Sequence, residues 1–158
     1  MKQIKLNFKL EKMKMITKVA FNGSATTRDL IIDTGCSLTT MSHTLFKRLK
    51  YKKTDSSPIT ILGLNSEEKS KSVIIPSFII SNHDIGPIRI ALATLKAEFQ
   101  NKILLGMNVL AWFHWDVDMQ KKVFTLTSRN YGSHRKLSDF FVLKNPQEST
   151  LLYIFSPL

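Results

Sequence analysis

The chain has one cysteine, Cys36, in 158 residues, so no intrachain disulfide can form. That absence favours a reducing, cytoplasmic setting. Long apolar runs are also missing. The longest, Val73 to Ile80, is interrupted by Pro76 and Ser77, too short to span a bilayer. Residues 1–15 carry lysines throughout instead of a basic start followed by an apolar block, which argues against a secretory signal. Acidic residues are scarce: 12 Asp and Glu face 23 Lys and Arg, for a net charge of +11. Such a surface attracts anions, but the lysines are scattered and aromatics are not interleaved with them. The pattern reads as a solvated Lys-rich surface and argues against nucleic acid as a partner. His43, His83, His114 and His134 show no ligand spacing, so no metal or other cofactor is expected.

What remains, at 43% hydrophobic content, is enough for one globular domain. Ile4, Leu6, Phe8 and Leu10 alternate with Lys5, Asn7 and Lys9, the period of a half-buried strand. A second strand is expected over Ile16–Phe21, ending at the turn pair Asn22-Gly23, and a third over Asp29–Asp33. Ser42 is placed to cap a short helix over His43–Leu49, with Leu45, Phe46 and Leu49 inward. Ile59–Leu62 and Val73–Ile75 read as hairpin arms around a polar connector, Asn65–Ser72. Further short strands are expected at Phe78–Ser81, Ile88–Leu92 and Ile103–Leu105, the last stopped by Gly106. One or two helical turns follow at Met107–Phe113. A last hairpin is expected from Trp115–Val117 and Val123–Leu126 around Asp118–Lys122. The expected class is all-β, a closed barrel of short strands and hairpins with one or two short helices.

The segment with chemistry in it is Leu30-Ile31-Ile32-Asp33-Thr34-Gly35. A carboxylate at the end of an apolar strand is costly unless the site uses it. The Thr hydroxyl can hold the loop, and the Gly admits another backbone close to the carboxylate. Alone, Asp-Thr-Gly is an ordinary turn sequence. Here it is joined to Ile61-Leu62-Gly63-Leu64, thirty positions on, and to Ile103-Leu104-Leu105-Gly106. In this order the segments resemble the retropepsin-like aspartic peptidases, the retroviral-type protease family, over roughly residues 15–127. The continuation Met107-Asn108-Val109-Leu110 is closer in motif to the cellular and bacterial branch than to the viral one. Departures from the viral pattern are Cys36 for the usual Ala, Ser37 and Leu38 where acids hold substrate, Met107 where an Arg braces the dimer, and one flap Gly.

The resemblance implies a homodimeric aspartic endopeptidase. The motif occurs once, so the second carboxylate must be Asp33 of another copy. Asp33, Thr34 and Gly35 are the implied catalytic residues. Cys36, Ser37 and the flap residues Leu62, Gly63 and Leu64 are implied to touch a polypeptide substrate. Residues 1–127, including an N-terminal strand at 1–14, would form the protease domain. Residues 128–158 would be an extension, with Leu151–Phe155 suited to the dimer interface. Cys36 reads as a small buried hydrophobe or, more sharply, as a redox switch beside the site. The rival function is a catalytically inactive dimeric peptide-binding module with the same fold.

Overall fold

The computed structural model describes residues 3–20, 27–49, 56–62, 67–128 and 151–153. Within them the chain is mostly strand, as expected. β1 (Gln3–Asn7), β12 (Phe113–Asp118) and β13 (Val123–Ser128) form a three-stranded sheet in the order β1-β13-β12. The second sheet is larger. It contains β2 (Lys9–Glu11), β3 (Lys14–Ala20), β4 (Thr27–Ile32), β5 (Thr39–Ser42), β6 (Ser56–Leu62), β7 (Glu67–Ile75), β8 (Ile79–Ile80), β9 (His83–Asp84), β10 (Ile88–Ala93), β11 (Lys102–Leu105) and β14 (Leu151–Tyr153). Its path is β14-β6-β7-β10-β5-β11-β4-β3-β8-β9, with β2 hydrogen-bonded to β3.

One core joins the two sheets. Ile4 and Leu6 of β1 and Phe124 and Leu126 of β13 pack with Leu30, Ile32, Met41, Ile75, Ile90, Ile103 and Leu105 from the large sheet. The period-two reading of the N-terminus therefore holds through Phe8. There the strand changes sheets: the Phe8 amide donates to the Lys122 carbonyl at 2.9 Å, and Lys9–Glu11 pair with β3. Leu10, expected to point inward, is 45% exposed because its strand no longer lies over the core. The β2–β3 turn is Lys12-Met13, both at positive φ, a conformation ordinarily given to Gly or Asn. No turn signal in the sequence marks it.

Helix α1 (His43–Arg48) forms where expected. Ser42 Oγ accepts the Leu45 amide at 3.0 Å, Leu45 is buried, and Phe46 and Leu49 pack on the core. The hairpin over the middle of the chain is longer than its apolar arms imply. Glu67–Ser72, read as polar connector, is strand, with Ser72 buried and the exposed positions alternating toward solvent. Helix α2 is one turn, Met107–Leu110. The last hairpin extends two residues beyond the expected arms at its outer ends, to Phe113 and Ser128. Asn22-Gly23 and the hairpin tip at 63–66 lie outside the described residues. Residues 151–153 run parallel to Thr60–Leu62 of the same chain. Ile154 and Phe155 lie outside the described residues. No helix among the described residues is long and apolar enough to cross a membrane.

Candidate active site

The site is built where two loops leave one pair of parallel strands. β4 and β11 run side by side in register, Leu30 with Ile103 through Ile32 with Leu105. One step further along each strand lie Asp33 and Gly106. The Asp33 amide donates to the Leu105 carbonyl at 3.1 Å, so the loop starts anchored to the neighbouring strand. β4 is apolar and buried at Leu30–Ile32 because it has a strand on each side, β3 and β11.

Past the strand end, Asp33 is half-buried. One carboxylate oxygen accepts the Gly35 amide at 3.0 Å, and the Asp33 carbonyl accepts the Cys36 amide at 3.3 Å. Burial raises the Asp33 pKa above the usual carboxylate value. The backbone amides of Gly35 and Cys36 and the charge of Lys14 offset part of that rise. Thr34, beside it, is exposed to solvent, while Gly35 and Ser37 are half-buried.

The second loop clamps the first. The amides of Met107 and Asn108 donate to the carbonyls of Cys36 and Ser37, at 2.7 and 3.0 Å. Asn108 Oδ1 accepts both the Thr39 amide (2.7 Å) and the Thr39 hydroxyl (2.9 Å), and Nδ2 donates to the Arg89 carbonyl at 2.9 Å. The Gly106 amide donates to Thr39 Oγ1 at 3.2 Å. Gly106 permits this approach. A Cβ there would stand 2.5 Å from the Leu38 carbonyl carbon, 2.7 Å from the Thr39 nitrogen and 2.8 Å from the Cys36 oxygen. Asn108 as a brace was not singled out from the sequence. The only available signal was its place two residues after Gly106.

Cys36 is fully buried. Its Sγ donates to the Leu38 carbonyl at 2.7 Å and lies 3.3 Å from Thr40 Oγ1. Burial is the main cause that pushes the thiol pKa up to about 12. A redox switch needs an exposed thiolate, and the buried thiol fits a small core hydrophobe instead. Ser37 is half-buried and Leu38 packs against Ile59, Ile61, Ala91 and Ala93. Leu62 ends β6, and Gly63 and Leu64 lie outside the described residues. No group of three or more His, Cys, Asp or Glu able to hold a metal exists among the described residues.

A sequence model of the aspartyl protease family matches residues 17–109, more than half of the chain. The fold is similar to the crystal structure of a retropepsin-like aspartic protease from Rickettsia conorii. That match has 21% sequence identity and a TM-score of 0.57, and covers 79% of this chain and 89% of that one. No curated protein is a significant match. The family match spans both loops of the clamp, from within β3 to α2, and on it the chain belongs to the aspartyl protease family, with a retropepsin-like fold.

Proposed function

We propose that the protein is a homodimeric aspartic endopeptidase in which two copies of Asp33, one from each subunit, form the catalytic pair. The observation that carries this reading is Asp33 itself: a half-buried carboxylate at a strand end, aimed by the Gly35 amide, with its pKa raised by burial. Two such carboxylates brought together cannot both ionise comfortably, so they share one proton and titrate as a pair. The ionised one takes a proton from a bound water, and the protonated one donates to the scissile carbonyl. The water attacks directly, so the pair returns to its starting protonation when the amine leaves.

The other residues support this arrangement. Exposed Thr34 is available to bond across the subunit boundary and stiffen both loops. Gly35 lets the substrate backbone lie close to the pair. Ser37 and the hairpin residues Leu62, Gly63 and Leu64 would hold the substrate as an added strand, with the hairpin closing as a flap. Cys36 serves as the buried floor of the loop. Residues 1–127 form the protease domain in this reading and 128–158 an extension. A reducing cytoplasmic setting suits the lone buried thiol.

The test is to incubate wild type and Asp33→Asn with a diverse peptide mixture from acid to neutral pH and read new termini by mass spectrometry. Cuts lost in the variant are expected. Mixing the two proteins adds a check on the dimer: excess Asp33→Asn should suppress wild-type activity through mixed dimers. A folded, dimeric wild type that cuts nothing would favour the peptide-binding module instead.

A further inference from the structure

The hairpin β6–β7 leaves the body of the sheet part-way along its length. β7 is hydrogen-bonded to β10 from Ile75 opposite Ile88 to Lys71 opposite Leu92. Beyond that point the ladder with β10 ends, while Glu67–Ser70 continue in register with Ile59–Leu62 of β6. On the β10 side, backbone pairing there gives way to side chains, while β6 pairs with β14 on the outer side. Ser70 Oγ donates to the Leu92 carbonyl and lies 3.2 Å from His43 Nε2 on α1. The Glu68 carboxylate accepts the Thr94 amide on both oxygens at 3.1 Å and the Thr94 hydroxyl at 3.0 Å.

We propose that Glu68 is a latch: through Thr94 it holds the part of the hairpin beyond the β10 ladder, whose outer edge carries β14, to the body and so positions the flap over the site. Glu68 is a positioning residue here, since it touches the arm's anchor and not the reacting atoms. Three features make this more than an incidental surface contact. The Thr94 amide is the donor that comes just after β10 ends, so the carboxylate replaces a lost ladder acceptor. The bonds are charge-assisted, which strengthens them, yet half-exposed, which keeps them breakable. And the held arm has something beneath it: Ile59 and Ile61 pack with Ala91 and Ala93 against Leu38, a residue of the Asp33 loop, and against Leu95, next to Thr94. Releasing Glu68 removes the polar tie between the body and the arm that carries Ile59 and Ile61 over that loop, leaving their packing on Ala91 and Ala93.

This inference rests on the peptidase reading for the word flap, but the latch is measurable without it. The experiment compares wild type, Glu68→Ala and Glu68→Gln by NMR-detected amide exchange and by initial rates on denatured casein. Glu68→Ala should speed exchange at Thr94 and Glu67–Ser70 and leave the β1–β13 amides unchanged. It should also raise KM by about tenfold, the loss of one charge-assisted contact, with kcat within about twofold. Glu68→Gln keeps one acceptor oxygen and should fall between. Unchanged exchange in Glu68→Ala overturns the latch. Faster exchange with unchanged KM overturns its role in positioning the flap. A wild type that cuts no casein refutes the peptidase reading and the flap role with it, while exchange at Thr94 still decides whether the latch exists.

Discussion

Replacing Gly106 by Ala should be among the most damaging single-methyl changes this chain can undergo. The backbone at Gly106 is ordinary, with φ −90° and ψ 177°, so alanine can adopt it without torsional strain. The cost is steric alone. The added Cβ would lie 2.5 Å from the Leu38 carbonyl carbon, where contacts shorter than 3.0 Å are essentially never seen, and its other two neighbours are also backbone atoms. No side chain can swing away, so one loop must back off from the other. That movement stretches the bonds from Met107 and Asn108 to the Cys36 and Ser37 carbonyls and the bond from Gly106 to Thr39. At about 1 kcal/mol for each bond, plus the exposure of groups left unpaired, the expected loss is about 3–5 kcal/mol. Native domains hold only about 5–15 kcal/mol in all. Urea unfolding followed by tryptophan fluorescence measures it, with Gly86→Ala as the matched control. Gly86 has φ +86° and open space around its Cβ direction, so an alanine there would carry torsional strain and no clash. It should cost about 1–2 kcal/mol. A Gly106→Ala loss below about 1 kcal/mol, or one no larger than that of Gly86→Ala, would refute the steric account.

Asp33→Asn should abolish cleavage without lowering stability at neutral pH. Because burial raises the folded-state pKa of Asp33, the folded form holds its proton more tightly than the unfolded chain. Wild-type stability relative to the Asn variant should therefore fall as pH rises from the unfolded value of 3.8 through the raised folded value, then level off. Paired urea titrations across that range check it, and a rise over the same window would contradict the burial. Cys36 should resist a thiol reagent at pH 8 until the protein unfolds, since its thiol is buried with a pKa of about 12; stoichiometric labelling of native protein would disprove this. Asn108→Ala removes the acceptor for two Thr39 donors and a donor to Arg89, and should cost about 2–4 kcal/mol in urea unfolding. Stability within about 0.5 kcal/mol of wild type would mean water replaces the brace at no cost.

Much of this protein was determined by local sequence. The Asp-Thr-Gly loop, the strand that delivers it, the Ser42 cap and the stop at Gly106 all stand where their residues put them, because strand period, capping and turn chemistry act within a few positions. Other features waited on contacts between distant segments. Period two shows that Ile4–Phe8 has an inner face, but not that the chain would change sheets at Phe8 and leave Leu10 outside. Lys69 and Lys71 read as connector because charge marks solvent, and an outward-facing strand position is solvent too. The positive φ at Lys12 and Met13 follows from the tight closure of β2 on β3, which neither side chain announces. The clamp on the site is the clearest case. Asn108 and Thr39 are 69 residues apart, and the pairing of β11 with β4 on one side and with β5 on the other brings their loops together. The same pairing buries the Cys36 thiol and sets the environment of Asp33. Sequence determined which groups the chain carries to its strand ends. The tertiary structure decided which of them meet, because hydrogen bonding and burial depend on distance in space and not along the chain.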